Sequence, residues 1–145
     1  FYKKLASPSN KNKKLIVKYS YFYILGILGV TFFVAIFGSY IFPYFIDEAY
    51  YQGAAYIFWI SIGYAMFGIY QLFFPYLVHI GKTSFLAIST TIAAVLNLIL
   101  NYLCINSFGA IGAAYATFFS YLVMFGLVSI YTQKHYKMPW FYMFK

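Results

Sequence analysis

Charge is what this sequence has least of. Asp47 and Glu48 are its only acidic residues, arginine is absent, and all ten basic residues are lysines. Charged residues make up 8% of the chain, against about 25% in an average soluble domain. No charge appears from Tyr19 to Ile46, from Ala49 to Gly81 or from Thr83 to Gln133, with His79 counted as neutral. The single cysteine, Cys104, supports neither an internal disulfide nor a cysteine metal cluster, and in its apolar surroundings it reads as a small core residue. Also missing are a glycine-rich phosphate loop, a metal-ligand spacing, a Ser/His/Asp set and any acid or base inside the expected spans. The opening FYKKLASPSNKNKK has no apolar stretch ahead of a cleavage site, so no signal peptide is recognisable. Beginning on Phe1 within a basic stretch, the chain is expected to be a fragment of a longer protein.

What is present is apolar surface, 64% of all residues. Each charge-free run reaches or exceeds the roughly 20 residues that cross a bilayer core. The runs are continuous rather than short and alternating, which excludes a membrane β-barrel. The expectation is an all-α integral membrane protein with spans at 18–42, 54–78, 84–105 and 110–131, a basic linker over 1–17 and a basic, aromatic tail over 132–145. Pro43 is expected to end the first span, whose Gly26, Gly29, Ala35 and Gly38 mark no single packing face. In the second, Ser61, Tyr64, Ala65, Gly68, Gln71 and Pro75 recur every three or four residues as one small, polar face. Pro75 also frees a backbone carbonyl near Gln71.

The third and fourth spans form a hairpin through Asn106-Ser107-Phe108-Gly109. Thr90, Ala94, Asn97 and Asn101 share one face of the third. An amide in hydrocarbon is costly without a partner, so Asn97 and Asn101 should face protein or a wet cavity. On the fourth, Gly112, Ala116 and Ser120 form a stripe of small residues, flanked by Ala113 and Thr117, that lets helices approach closely.

The remaining polar residues carry weaker signals. Asp47 and Glu48 have no nearby His or Cys and read as a solvated loop rather than a catalytic or metal-binding pair. His79, beside Gly81-Lys82-Thr83, reads as a structural or headgroup residue, since no catalytic partner accompanies it. A net charge of +8 would suit nucleic acid, but the lysines flank apolar spans and no base-reading fold is present. They suit anionic lipid headgroups instead. Lys3, Lys4, Lys11, Lys13, Lys14 and Lys18 precede the first span, Lys82 lies between the second and third, and Lys134, Lys137 and Lys145 follow the fourth. With both ends cytoplasmic, all ten lie inside and the positive-inside rule is obeyed throughout. Trp140 and its aromatic neighbours are expected at headgroup depth.

Four stretches carry a family resemblance: Ile46-Asp47-Glu48-Ala49-Tyr50, Gly81-Lys82-Thr83, Asn97-Leu98-Ile99-Leu100-Asn101-Tyr102, and Phe108-Gly109-Ala110-Ile111-Gly112-Ala113-Ala114-Tyr115-Ala116-Thr117 followed by Ser120-Tyr121. In order and spacing they resemble the last part of bacterial O-antigen and polysaccharide flippases, a branch of the multidrug/oligosaccharidyl-lipid/polysaccharide exporter superfamily. The resemblance implies about twelve helices in two pseudo-symmetric lobes, of which these would be four from the second, an internal-repeat plan found among secondary transporters. It implies movement of a lipid-linked oligosaccharide from the inner to the outer leaflet of the bacterial cytoplasmic membrane by alternating access, without a cofactor or metal. Asn97, Asn101, Gln71 and Tyr64 would then bond sugar hydroxyls along the path, with aromatics stacking on sugar faces. The expected partners are the lipid-linked substrate, membrane lipids and the rest of the same transporter. Cations for a pyrophosphate and a carboxylate for a coupling ion would come from elsewhere in such a protein. Other readings are a drug or metabolite antiporter of that superfamily, a non-transporting scaffold of a glycan-assembly complex, and, were His79 catalytic, a membrane acyltransferase.

Overall fold

A computed structural model describes residues 9–45, 47, 51 and 53–140. Helix α1 spans Asn10–Phe45, α2 Ala54–Tyr70, α3 Phe74–His79, α4 Thr83–Phe108 and α5 Ile111–His135. With α2 and α3 taken as one interrupted span, four helical segments are long and apolar enough to cross a membrane. Among the described residues this is an all-helical protein of the membrane type. Of the Ile46–Tyr50 stretch only Asp47 is described, and Lys3, Lys4 and Lys145 also lie outside the described residues.

The first helix begins at Asn10, well before the expected Lys18. Lysine is a good helix former, so the basic stretch extends the helix beyond the apolar run. Ser9 caps it, its hydroxyl accepting from the Asn12 N–H at 3.2 Å. Helix α1 also runs on past Pro43 to Phe45, because proline's own φ is helical and its damage falls on the preceding turn.

Proline shapes the second span differently. Leu72 and Phe73 bond back only three residues, to Ile69 (3.1 Å) and Tyr70 (2.9 Å), and Pro75 lies in the first turn of α3. Helix α3 closes with Gly81 at φ +70°, the Lys82 N–H reaching the Leu77 carbonyl at 2.8 Å and the Gly81 N–H that of Val78 at 3.1 Å. The hairpin turn is tighter than the sequence suggests. Asn106, Ser107 and Phe108 stay helical, and the chain reverses at Gly109-Ala110 with Gly109 at φ +71°.

The helices pack in the order α1–α2–α5–α4, so α5 is flanked on both sides. Its buried residues include Gly112, Ala116, Ser120, Met124 and Val128. A Cβ on Gly112 would collide with the Cys104 carbonyl, and one on Gly63 would come within 3.3 Å of the Phe118 Cα. Missing side chains therefore set the closeness of both α5 contacts, where dispersion between helices can act. The main core joins Ile69, Tyr70, Phe73 and Leu77 to Leu86, Ala93, Met124 and Val128. Helix α1 touches α2 and leaves most of its apolar surface exposed.

The tail folds back rather than presenting Trp140 to headgroups alone. Gln133 accepts at Oε1 from the Trp140 indole N–H (2.9 Å) and the Met138 N–H (3.3 Å), and its Nε2 donates to the Met138 carbonyl (3.1 Å). The Trp140 ring packs on Phe73 at 5.5 Å, and its carbonyl accepts from the Tyr21 hydroxyl at 2.8 Å. Ile16, Val17, Tyr76 and Met138 bury one another beneath this closure. Lys13 donates to the Lys137 carbonyl at 3.1 Å and lies 5.0 Å from the centre of the Tyr136 ring. Burial pushes the Tyr136 phenol up, so the ring beneath that ammonium stays neutral. The start of α1 and the end of α5 thus meet at one end of the molecule.

Candidate functional site

Because α5 is flanked by α2 and α4, one face of the helical layer holds a groove along it, with a volume of about 370 Å³. Tyr64 and Phe67 of α2 form one wall, and Thr90, Ala93, Ala94 and Asn97 of α4 the other. Thr117, Ser120, Tyr121 and Met124 of α5 supply the floor. The small residues that allow close packing also leave this space, since alanine, serine and threonine fill little of it.

Its polar groups have a definite sense. Thr90, Thr117 and Ser120 donate to the carbonyls of Leu86 (2.8 Å), Ala113 (3.0 Å) and Ala116 (2.7 Å) within their own helices. Their protons are committed, while their oxygens can still accept. Asn97 is the complement. Its Oδ1 accepts from the Asn101 Nδ2 at 3.0 Å, and that same nitrogen donates to the Asn97 backbone carbonyl at 2.9 Å. This leaves the Asn97 N–H₂ group as a donor with no protein partner among the described residues. Tyr64 and Tyr121 add hydroxyls and face each other with ring centres 5.8 Å apart. No charged residue lines the groove. Among the described residues no group of His, Cys, Asp and Glu could hold a metal ion. Neutral donors and acceptors between aromatic rings suit a neutral, hydroxyl-rich group.

The four residues expected along a pathway separate. Tyr64 and Asn97 line the groove. Asn101 lies outside it, one turn on, holding Asn97 in place. Gln71 lies two turns beyond Tyr64 and would share its face on a continuous helix, but α2 ends at Tyr70, and Gln71 is exposed at the break, outside the groove. The small, polar face of α2 serves a different neighbour. Ser61, Ala65 and Gly68 line a separate apolar crevice toward α1, and Tyr64 borders both spaces. Gly68 lies close to α1 there: an added Cβ would come within 2.8 Å of the Ile27 Cδ1, the mobile end of a side chain, and its carbonyl accepts from the Tyr23 hydroxyl at 3.3 Å. The stripe residues Gly112, Ala116 and Ser120 are all buried, and Ser120 also reaches the groove floor.

Phe67, Tyr121 and Met124 escape a reading by polarity, since each resembles any lipid-facing residue. Their signal is positional, Tyr121 and Met124 following Thr117 at spacings of four and seven. Comparison with known protein families, curated proteins and solved structures finds no match to this chain.

Proposed function

We propose that this chain is part of a bacterial cytoplasmic-membrane flippase that carries a lipid-linked oligosaccharide to the outer leaflet, with the joined ends of α1 and α5 on the cytoplasmic side. The observation carrying this reading is the uncharged polar groove over α5, with its unpartnered Asn97 amide. A face holding hydroxyls, an amide donor and two tyrosines is costly against lipid tails and favourable around a sugar. Covered by the other helices of a transporter, it becomes one wall of a path for a glycan whose lipid tail stays outside. The lysines at one end support the orientation: Lys11, Lys13, Lys14 and Lys18 open the fold, Lys82 lies between α3 and α4, and Lys134 and Lys137 close it. The sequence resemblance supports the substrate class.

The test is Asn97→Leu in the intact transporter, in cells that depend on it for surface glycan. Surface glycan per molecule of inserted protein should fall severalfold while the amount of protein stays near normal. Losing one amide contact in a membrane bundle costs only about 0.6 kcal/mol on average, too little to unfold it. Undiminished glycan per molecule would overturn the reading and leave Asn97 and Asn101 as a structural pair.

A further inference from the structure

A second cleft, of about 420 Å³, opens where the end of α5 meets the break between α2 and α3. Phe73, Ile130 and Trp140 make its apolar wall, and Ser129, Gln133 and Lys134 its polar rim. Ile130 is 73% exposed, so this wall is turned outward from the bundle. The rim is internally satisfied except at one point. Ser129 donates to the Gly126 carbonyl at 3.1 Å, and Gln133 spends both ends of its amide on Met138 and Trp140. Lys134 is exposed, and the one described carboxylate, Asp47, lies beyond the opposite end of α1. A cation thus stands at the mouth of an outward-facing apolar cleft, on the end of the molecule where the lysines gather. Stabilising the carbonyls at the end of α5 would account for the charge, but not for the open apolar wall beside it.

We infer that this cleft binds one anionic phospholipid, its phosphate on the Lys134 ammonium and the upper part of an acyl chain against Phe73, Ile130 and Trp140. A hydrocarbon chain and a negative headgroup belong to the same molecule in a membrane, which sets a phospholipid apart from a free anion. The site is independent of the groove over α5.

Trp140 reports on it directly. In a Trp59→Phe background Trp140 is the only remaining indole, because the chain has two tryptophans, Trp59 and Trp140. The full chain, reconstituted in phosphatidylcholine nanodiscs, would be titrated with tail-brominated phosphatidylglycerol or tail-brominated phosphatidylcholine, which quench a neighbouring indole. The anionic lipid should quench at about fivefold lower mole fraction, the preference one lysine near a surface provides. Lys134→Gln should abolish that preference, Lys134→Arg should keep it, and Lys82→Gln, on the same end but outside the cleft, should leave it intact. An unchanged Trp140 emission maximum in Lys134→Gln shows that the tail remains folded; a shifted maximum passes the test to Ile130→Asn, which should weaken quenching by both lipids. Equal quenching by the two lipids in the parent, or equal loss in Lys82→Gln and Lys134→Gln, would overturn the inference. So would absence of quenching by either, the outcome if residues 141–145 or another protein fill the cleft.

Discussion

Gly112 lies at the point where the hairpin closes, with no room above it. A Cβ there would strike the Cys104 carbonyl and stand within 2.6 Å of the Ile105 nitrogen, and backbone atoms cannot swing aside as a flexible side chain can. Gly112→Ala should therefore destabilise the protein by about 1–3 kcal/mol. Gly126, on the same helix, has nothing within 4 Å of its would-be Cβ. Gly126→Ala should be neutral or stabilise by up to about 1 kcal/mol, as helix glycines replaced in open space do. Thermal unfolding of both variants in detergent checks the pair, and equal effects would mean that α4 and α5 do not approach as described. Gly112, Ala116 and Ser120 were legible as a group because small residues four apart must share a helix face. The division of labour between Asn97 and Asn101 was not. Spacing puts both on one face, but which amide carbonyl is consumed locally depends on side-chain geometry that spacing does not encode.

At the scale of elements, continuous apolar runs made the spans readable, while their ends were blurred by residues that are helical and polar at once. Lysines carried α1 back to Asn10, and Asn106 and Ser107 carried α4 on to the glycine that stops it. The irregularity at Gln71 was legible from Pro75, but its result, an exposed Gln71 outside the groove that Tyr64 lines, depends on the three-residue bonds at Leu72 and Phe73, which spacing does not encode. Pro75 withholds the N–H that would otherwise bond the Gln71 carbonyl. Pro75→Ala should restore that donor, join α2 to α3 and slow amide hydrogen exchange at residues 72–74. Exchange measured by mass spectrometry on the reconstituted chain decides it. An unchanged rate would assign the break to the packing of Phe73 against Trp140 instead.

For the whole molecule, the closure at the lysine-rich end was the least legible part. It joins Tyr21 to Trp140 across most of the sequence, through a non-helical segment with no periodicity to read. Gln133 holds it, and Gln133→Leu would leave the Trp140 indole and the Met138 N–H unpaired, each costing about 1–3 kcal/mol where it is shielded from water, while the Met138 carbonyl keeps the Trp140 backbone N–H at 3.0 Å. The tail should loosen, and limited trypsin digestion should cut after Lys137 severalfold faster than in the parent. Equal cleavage rates would mean that aromatic packing and the Tyr21 and Lys13 hydrogen bonds retain it without Gln133. The same closure imposes a schedule on synthesis. Helix α1 leaves the ribosome before the other three segments, yet the carbonyl that receives its Tyr21 hydroxyl belongs to Trp140 and is made 119 residues later. Until then α1 packs on α2 and against Tyr76 of α3, with the closure at its start still to be made. A chain interrupted between α5 and Trp140 would hold all four helical segments without this closure, so the contact that fastens the start of α1 forms only after every segment has been made.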